Sequence, residues 1–341
     1  MLLTGPNQRP KKAIARLVTM ILAVMIMGLV IVACGGSSAP TEEPVEILPP
    51  TPALEPTVEP TEDVYPLTLV DGMDREVVLP GPVLRIVSIA PSNTEILFAI
   101  GAGDQVVGRD EVSDYPPEVL DVASIGSTYG ELNTEAILAL EPDLVLAATI
   151  TSPEQVQTLE ALGIPVYLLS NPADFPGLLE NISAVGVLTG NEAGAEALSE
   201  SLDARIAAVT QKAAGAERVS VFYEVDGSDP TAPWTTGAGT FQDVLIGLVG
   251  GENIGVEIAG WGQMSLEEIV TRNPQVVIFG EGSWVPTTAE SFLERSGWGE
   301  IAAVVDGRVY GIDTNWVDRP GPRLVDALEQ MALMIHPELF E

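Results

Sequence analysis

The chain contains one helix-and-strand segment twice, and this repeat constrains its fold more than any other feature. The stretch NTEAILALEPDLVLA begins at Asn133, and SLEEIVTRNPQVVIF begins 132 residues later at Ser265, without a gap. Each copy starts with a capping residue, continues as a helix that ends before proline, and is followed by an apolar run. A glutamate occupies the third position of both copies, as Glu135 and Glu267. The repeat predicts two lobes built in the same order.

The surrounding sequence extends the repeat into two α/β halves. Short apolar runs such as LRIVSIA and RVSVFYEV alternate with helical segments, and Asn93 or Thr94 is expected to cap the first helix. This alternation predicts parallel sheets with helices on their faces. An alanine-rich segment between the halves predicts a long helix over about 191–214. The expected fold is α/β, with two pseudo-repeated lobes joined by a long α-helix and a ligand cleft between them.

The first 33 residues have the pattern of a secretory signal peptide. Basic residues precede an uncharged apolar run from Leu17 to Ala33. The next residue, Cys34, is the only cysteine of the chain, and IVAC resembles a bacterial lipobox, in which the cysteine is lipidated. The alternative is an uncleaved signal anchor with an idle cysteine. We expect an extracytoplasmic lipoprotein, anchored to the cell membrane through Cys34.

Residues 34–64 are expected to be a disordered, lipid-anchored tether. After Cys34 this segment has seven prolines, seven acidic residues and no Lys or Arg, so it cannot bury enough apolar surface to fold. Proline keeps such a chain extended, with a reach on the order of 90 Å. The remaining boundaries are an N-terminal lobe over 65–176, a connecting helix region over 177–217 and a C-terminal lobe over 218–341.

Composition excludes several classes of function. A net charge of −34 at pH 7 disfavours nucleic acid as a partner. One His and one Cys exclude a His/Cys zinc site, and we expect no resident metal or cofactor. GEGSW is not a nucleophile elbow, and GAGDQV lacks the third glycine of a dinucleotide fingerprint. We therefore expect a protein that is not an enzyme. We also expect it to be a monomer.

Several segments together carry a family resemblance. RIVSIAPSNTEILFAIGAGDQVVG, SDYPPEV, NTEAILALEPDLVLA, GGENI and RPGPRLVDALEQMALMIHPELF resemble, in their order and spacing, the helix-hinged (class III) substrate-binding proteins of ABC importers. The resemblance covers about 67–340 and, through SDYPP and NWVDRPGPR, is greatest to the cobalamin-binding branch. It implies capture of a corrinoid for delivery to the importer's membrane subunits. A ferric siderophore or haem is the alternative cargo, and a ligand-sensing receptor module is a further alternative.

Aromatic residues in glycine- and proline-rich stretches are candidates for contacts with a large flat ligand. The resemblance implies ligand contacts at Tyr129, Trp234, Trp261, Asn315 and Arg319, and Trp316 is added from its position in the apparent loop DTNWVDRPG.

Each of these assignments has an alternative. A tryptophan can instead fill the edge of its own lobe, which we expect for Trp298. The alternative for Arg319 is a purely structural role, in which it forms an ion pair with Asp318 or Asp313 and does not contact the ligand. Val112 and Ala148 stand where the resemblance to the cobalamin-binding branch implies aromatic residues, so the wall of the first lobe is expected to be less aromatic.

Glu135 and Glu267 have two compatible explanations. A negative charge near a helix N-terminus stabilises the helix by about 0.3–1 kcal/mol, and Ser265 with Glu268 has the spacing of a capping box. The resemblance implies a second role, in which the two glutamates dock into arginine pockets on the two halves of the importer's membrane domain. One acid per lobe suits a partner with two equivalent subunits.

Overall fold

The computed structural model describes residues 65–282 and 287–340. The predicted signal peptide, Cys34 and the predicted tether lie outside the described residues, as does Trp284. A helix with the length and apolar character needed to cross a membrane is not found in the described part of the chain.

The N-terminal lobe is a four-stranded parallel sheet covered by helices. An antiparallel hairpin, β1 (Leu67–Val70) and β2 (Glu76–Leu79), precedes it. The lobe then continues with β3 (Ile86–Ser88), α1 (Pro91–Ala99), β4 (Val106–Arg109), α2 (Thr134–Ala139), β5 (Leu144–Ala148), α3 (Pro153–Ala161) and β6 (Val166–Leu169). The strand order is β4-β3-β5-β6, and all pairs are parallel. Strands β3 and β6 are wholly buried because helices pack on both faces of the sheet.

The C-terminal lobe has a larger, mixed sheet. Its first elements are β7 (Val219–Asp226), β8 (Trp234–Thr236), α6 (Phe241–Leu248), β9 (Gly251–Asn253), β10 (Trp261–Gln263), α7 (Leu266–Arg272) and β11 (Val276–Glu281). They are followed by α8 (Ala289–Glu294), α9 (Ala302–Val305), β12 (Val309–Asp313), α10 (Thr314–Val317), α11 (Leu324–Ile335) and α12 (Pro337–Phe340). The parallel strands have the order β9-β7-β11-β12.

The two lobes share one topology, which confirms the two-lobed fold predicted from the repeat. Strands β4, β3, β5 and β6 correspond to β9, β7, β11 and β12 in the same order. The repeated segments are α2 with β5 and α7 with β11. The C-terminal lobe departs from the repeat by adding β8 and β10, which pair antiparallel beside β7. These strands have three residues each, too few for an alternating pattern to be visible in the sequence.

Two helices join the lobes, and the longer one is the predicted connector. Helix α4 (Phe175–Thr189) ends at Gly190, whose φ of 69° ends the helix in the left-handed conformation. Helix α5 (Glu192–Ala213) follows; its 22 residues span about 33 Å. The α5 backbone at Gly194 packs against the carbonyl of Ile100 in the N-terminal lobe. At the other end, Arg205 of α5 forms ion pairs with α11 in the C-terminal lobe.

The apolar core is shared between the lobes on one side. One cluster of buried side chains includes residues from β3 and α1, from the connecting helices, and from β7 and α11. A second cluster covers the opposite face of the N-terminal sheet, and a third covers that of the C-terminal sheet. Trp298 belongs to the third cluster and is fully buried, as predicted. Buried side chains of both lobes therefore pack together with those of the connecting helices in one cluster.

Two predicted helix caps differ in the structure. Helix α1 begins at Pro91, so Asn93 and Thr94 lie inside it and are buried. Proline is favoured in the first helical turn, and the helix therefore starts earlier in the chain than predicted. The Ser265 side chain caps α7 by accepting from the amide of Glu268, but the capping box is only half formed. The Glu268 carboxylate instead accepts a bond of 2.8 Å from Arg272, one turn along the helix.

Candidate functional site

A cavity of about 1010 Å³ lies between the two lobes. Its lining comes from segments that follow β3, β5 and β6 in one lobe and from the ends of β7, β11 and β12 in the other. Ligand sites in such sheets form at the carboxyl ends of the parallel strands, because the connecting loops there are not constrained by packing in the core. The cleft predicted between the lobes is thus present and bordered by both sheets.

Four of the six predicted ligand-contacting residues line the cavity. Tyr129 is on the N-terminal side, and Trp261, Asn315 and Arg319 are on the C-terminal side. Tyr129 and Trp261 are 68% and 53% exposed, which is unusual for large aromatic residues in a folded protein. Both rings can therefore still bury substantial area against a ligand.

Trp234 and Trp316 are not among the residues that line the cavity. Trp316 was predicted in a loop, but it lies on the helix α10. Its side chain is partly buried and packs against the main core cluster. Trp234 begins β8, and the strand register makes it the diagonal neighbour of Trp261 on β10. The two tryptophans therefore lie on one face of the added strand pair, with Trp261 at the cavity.

Amide and hydroxyl side chains form much of the polar wall. Asn93, Asn171, Asn181 and Asn315 line the cavity, with serine and threonine residues between them. The Asn93 amide is held in place, because its nitrogen donates to the carbonyl of Ala147 at 2.8 Å. Asn93 was predicted only as one of two alternative helix caps; its position just after the carboxyl end of β3 was the signal that could have identified it.

Arg319 is bound by the opposite lobe rather than by its neighbours in sequence. Its Nη1 atom lies 2.5 Å from Oδ1 of Asp114, and Nη2 donates to the carbonyl of Val112 at 3.2 Å. The anticipated pairing with Asp318 or Asp313 is absent from the ion pairs of the described residues. Asp114 belongs to the SDYPP segment, 205 residues earlier in the chain, so sequence spacing carried no signal for this contact.

A second arginine reaches across the lobes beside Arg319. Arg323 donates from Nε and Nη2 to the two carboxylate oxygens of Glu95, at 2.9 and 2.5 Å. Its guanidinium also lies 4.2 Å from the centre of the Tyr115 ring. Burial raises the pKa of Glu95, and the hydrogen bonds from Arg323 offset part of that increase. Glu95 and Arg323 were not predicted as site residues, because no local pattern in the sequence connects them.

Asp318 is a further polar group of the cavity that sequence analysis considered only as a partner of Arg319. It lines the cavity and accepts a hydrogen bond of 2.9 Å from Gln242. Asp318 is exposed to solvent at the cavity. Neighbouring protein atoms still desolvate its carboxyl group, which raises the pKa of Asp318 to about 6, although the Gln242 bond opposes the increase.

Val112 and Ala148 both line the cavity, where each contributes an aliphatic side chain. The described residues contain no cluster of three or more His, Cys, Asp or Glu side chains with the arrangement of a metal site. The wall therefore offers two exposed aromatic faces, amides, hydroxyls and a few charged groups.

Glu135 and Glu267 lie outside the cavity on equivalent helices. Each is exposed and occupies the second position of its helix, α2 or α7. The cap side chains accept from backbone amides, Asn133 at 3.1 Å and Ser265 at 3.2 Å. Each helix is thus already capped by the residue that precedes it, and neither carboxylate forms an ion pair with another described residue.

Two lobes of the same topology, a helical connection and a cavity between the facing sheet ends define a two-lobed solute-binding protein. Residues 86–315 match the periplasmic binding protein family, and the chain belongs to this family. Members of the family are transport binding proteins rather than enzymes. In ABC transporters such proteins deliver ligands to the membrane permease subunits.

Three similar proteins illustrate the range of the family. The chain is 34% identical over 285 residues to the uncharacterized ABC transporter substrate-binding lipoprotein YvrC of Bacillus subtilis (strain 168), covering 82% of this chain and 88% of that protein. The periplasmic vitamin B12 binding protein BtuF of Vibrio cholerae has 29% identity and a TM-score of 0.64, over 75% of this chain and 98% of that one. The periplasmic heme-binding protein RhuT from Roseiflexus sp. RS-1 has 28% identity and a TM-score of 0.67, over 75% and 99%.

Proposed function

We propose that this protein captures a corrinoid of the cobalamin type outside the cytoplasm and delivers it to an ABC importer. The observation that carries the proposal is the lining of the cavity, which combines two exposed aromatic faces with amide-rich walls. A corrinoid is large and flat and bears amide groups around its ring. Aromatic faces can pack on the ring, while Asn171 and Asn315 can exchange hydrogen bonds with the amides.

The charge of the cavity supports a neutral ligand over an anionic one. Arg319 is the arginine of the lining, and its guanidinium is already engaged by Asp114. Asp318 adds negative charge as the pH rises above about 6. Haem propionates and the carboxylates of ferric siderophores would meet this acid with no unpaired arginine in the described lining to hold them. Corrinoid amides incur no such repulsion.

Haem or a ferric chelate is the second candidate, and Tyr129 is the observation that favours it. Its exposed phenol is at the cavity, and a tyrosine oxygen can ligate haem iron. Similarity to a heme-binding protein adds to this alternative. The two candidates differ in one property that can be measured, since only the haem complex would depend on the phenol oxygen.

The proposal includes the placement and partners of the protein. Residues 1–33 would direct export, lipidated Cys34 would hold the mature chain at the membrane, and 34–64 would act as the tether of a monomer. The lobe boundaries 65–176, 177–217 and 218–341 complete this organisation. Glu135 and Glu267 would contact the two membrane subunits, one through each lobe. Similarity to a protein named as a lipoprotein supports the anchoring.

Tryptophan fluorescence tests the cargo. We expect cobalamin and cobinamide to quench the emission with saturation, since Trp261 would lie against the corrin. Trp261→Ala should weaken corrinoid binding, and Trp261→Phe should retain most of the affinity because it keeps a ring. Quenching by haem or a ferric siderophore alone, with its loss in Tyr129→Phe, would replace the corrinoid with the second candidate.

A further inference from the structure

Three ion pairs join the lobes directly beside the cavity. Arg319 and Arg323 belong to the C-terminal lobe, in the segment that leads into α11, whereas Glu95 and Asp114 belong to the N-terminal lobe. All other ion pairs among the described residues lie within one lobe or between α5 and α11.

The Glu95–Arg323 pair is built as a rigid contact. The side chains are 2% and 11% exposed, and both carboxylate oxygens are engaged by the guanidinium fork. Tyr115 covers one face of the guanidinium, and Gly321 brings the backbone close to Glu95 and to the start of α1. A buried, bidentate pair is screened little by salt and fixes the separation of the two segments that carry it.

The same contact positions Arg319. Nη1 of Arg319 lies 3.7 Å from Oε1 of Glu95, the carboxylate that Arg323 holds, and 2.5 Å from Asp114. Arg319 and Pro320 line the cavity, whereas Arg323 and Glu95 do not. Displacement of Arg323 would therefore move a cavity wall without removing any side chain from it.

We infer that Glu95 and Arg323, with Arg319 and Asp114, form an inter-lobe clamp that sets the width of the cleft and holds Arg319 in the cavity wall. Arg323 is then a positioning residue for ligand binding. The effect on affinity rests on the proposed function, whereas the effect on lobe separation does not. A clamped cleft needs little closure on capture, because the binding-competent separation is already the populated one.

The chain contains a matched control for this clamp. Arg295 and Glu224 also form a buried bidentate pair, with exposures of 10% and 2%, and Arg295 lies 3.8 Å from the centre of the Phe292 ring. Both residues of this pair lie in the C-terminal lobe. Arg295→Met therefore removes a contact of the same kind and burial without breaking a connection between lobes.

The experiment compares lobe separation in Arg323→Met, Arg295→Met and the unmodified full chain. Spin labels at Leu120→Cys and Val256→Cys, one exposed site per lobe, report the inter-lobe distance by double electron–electron resonance. A sample without introduced cysteines checks that Cys34 takes no label. We expect a longer and broader distance distribution in Arg323→Met alone, with Arg323→Lys intermediate because it restores the charge but not the fork.

Affinity for cobalamin provides the second readout. If about nine-tenths of Arg323→Met molecules are open, the apparent affinity should fall about tenfold, with Arg295→Met unchanged. A distance distribution in Arg323→Met that matches the unmodified chain would overturn the clamp and leave an ordinary buried ion pair. If Arg323→Met does not fold, the inter-lobe distance distribution of Glu95→Gln tests the clamp in the same way. Failure of cobalamin to bind any variant would count against the proposed cargo and leave the distance result intact.

Discussion

Replacing Glu135 and Glu267 together with glutamine should uncouple the protein from its importer without unfolding it. Both carboxylates are exposed, and neither forms an ion pair within the described part of the chain. Each charge near a helix start contributes at most about 1 kcal/mol to stability, so folding should survive the double change. An arginine of the partner left without its acid costs roughly 2–5 kcal/mol, which corresponds to a loss of roughly 30-fold to several thousand-fold per contact.

The assay is stimulation of importer ATPase activity in nanodiscs, measured beside ligand affinity by tryptophan fluorescence. We expect stimulation to be lost in the double variant, to be partly retained in each single variant, and ligand affinity to stay unchanged because neither residue lines the cavity.

The structure supplies a control with the same local chemistry. Glu154 and Glu290 are exposed and occupy the second position of α3 and α8, one in each lobe. Glu154→Gln with Glu290→Gln removes equivalent charges at helix starts and should leave stimulation intact. If both double variants stimulate the ATPase equally well, Glu135 and Glu267 are helix-capping charges and the docking role is refuted.

Two further predictions concern the cavity and the connector. The pKa of Asp318 is raised to about 6, so the folded state binds this proton more tightly than the unfolded state does, and stability should fall as the pH rises from about 4 to 6. Asp318→Asn should lack this part of the decline. The measurement is the difference in melting temperature between the variant and the unmodified chain across that pH range. Gly194→Ala would place a methyl group on the carbonyl of Ile100 and should destabilise the fold by about 1–3 kcal/mol in chemical denaturation, whereas Gly247→Ala, which meets no neighbour within 4 Å, should be neutral or stabilising.

Local sequence patterns predicted the architecture well because the elements depend on local signals. The repeat, whose two copies start 132 residues apart, identified α2 with β5 and α7 with β11, and the parallel strands of the two sheets have the same order. The connecting helix was expected over about 191–214 and lies at Glu192–Ala213. Helix caps, glycine stops and apolar periodicity act within a few residues, so they can be read from one sequence without knowing what packs nearby.

The cavity was predictable only where a family resemblance or a loop pattern pointed to it. Tyr129, Trp261, Asn315 and Arg319 line the wall, but loop composition could not show that Trp316 packs against the core. The composition of a segment shows which side chains it contains, whereas the direction of the Trp316 side chain depends on the short helix α10 and its packing.

What tertiary structure alone decided is the set of contacts between distant segments. Glu95 and Arg323 are 228 residues apart, and Arg319 and Asp114 are 205 apart. No periodicity connects positions at such separations, because they meet only after both lobes have folded and α5 has set their relative placement. Whether an acidic side chain becomes an exposed docking charge, as proposed for Glu135, or a buried inter-lobe partner, as Glu95 is, follows from that packing and not from the residue or its helix.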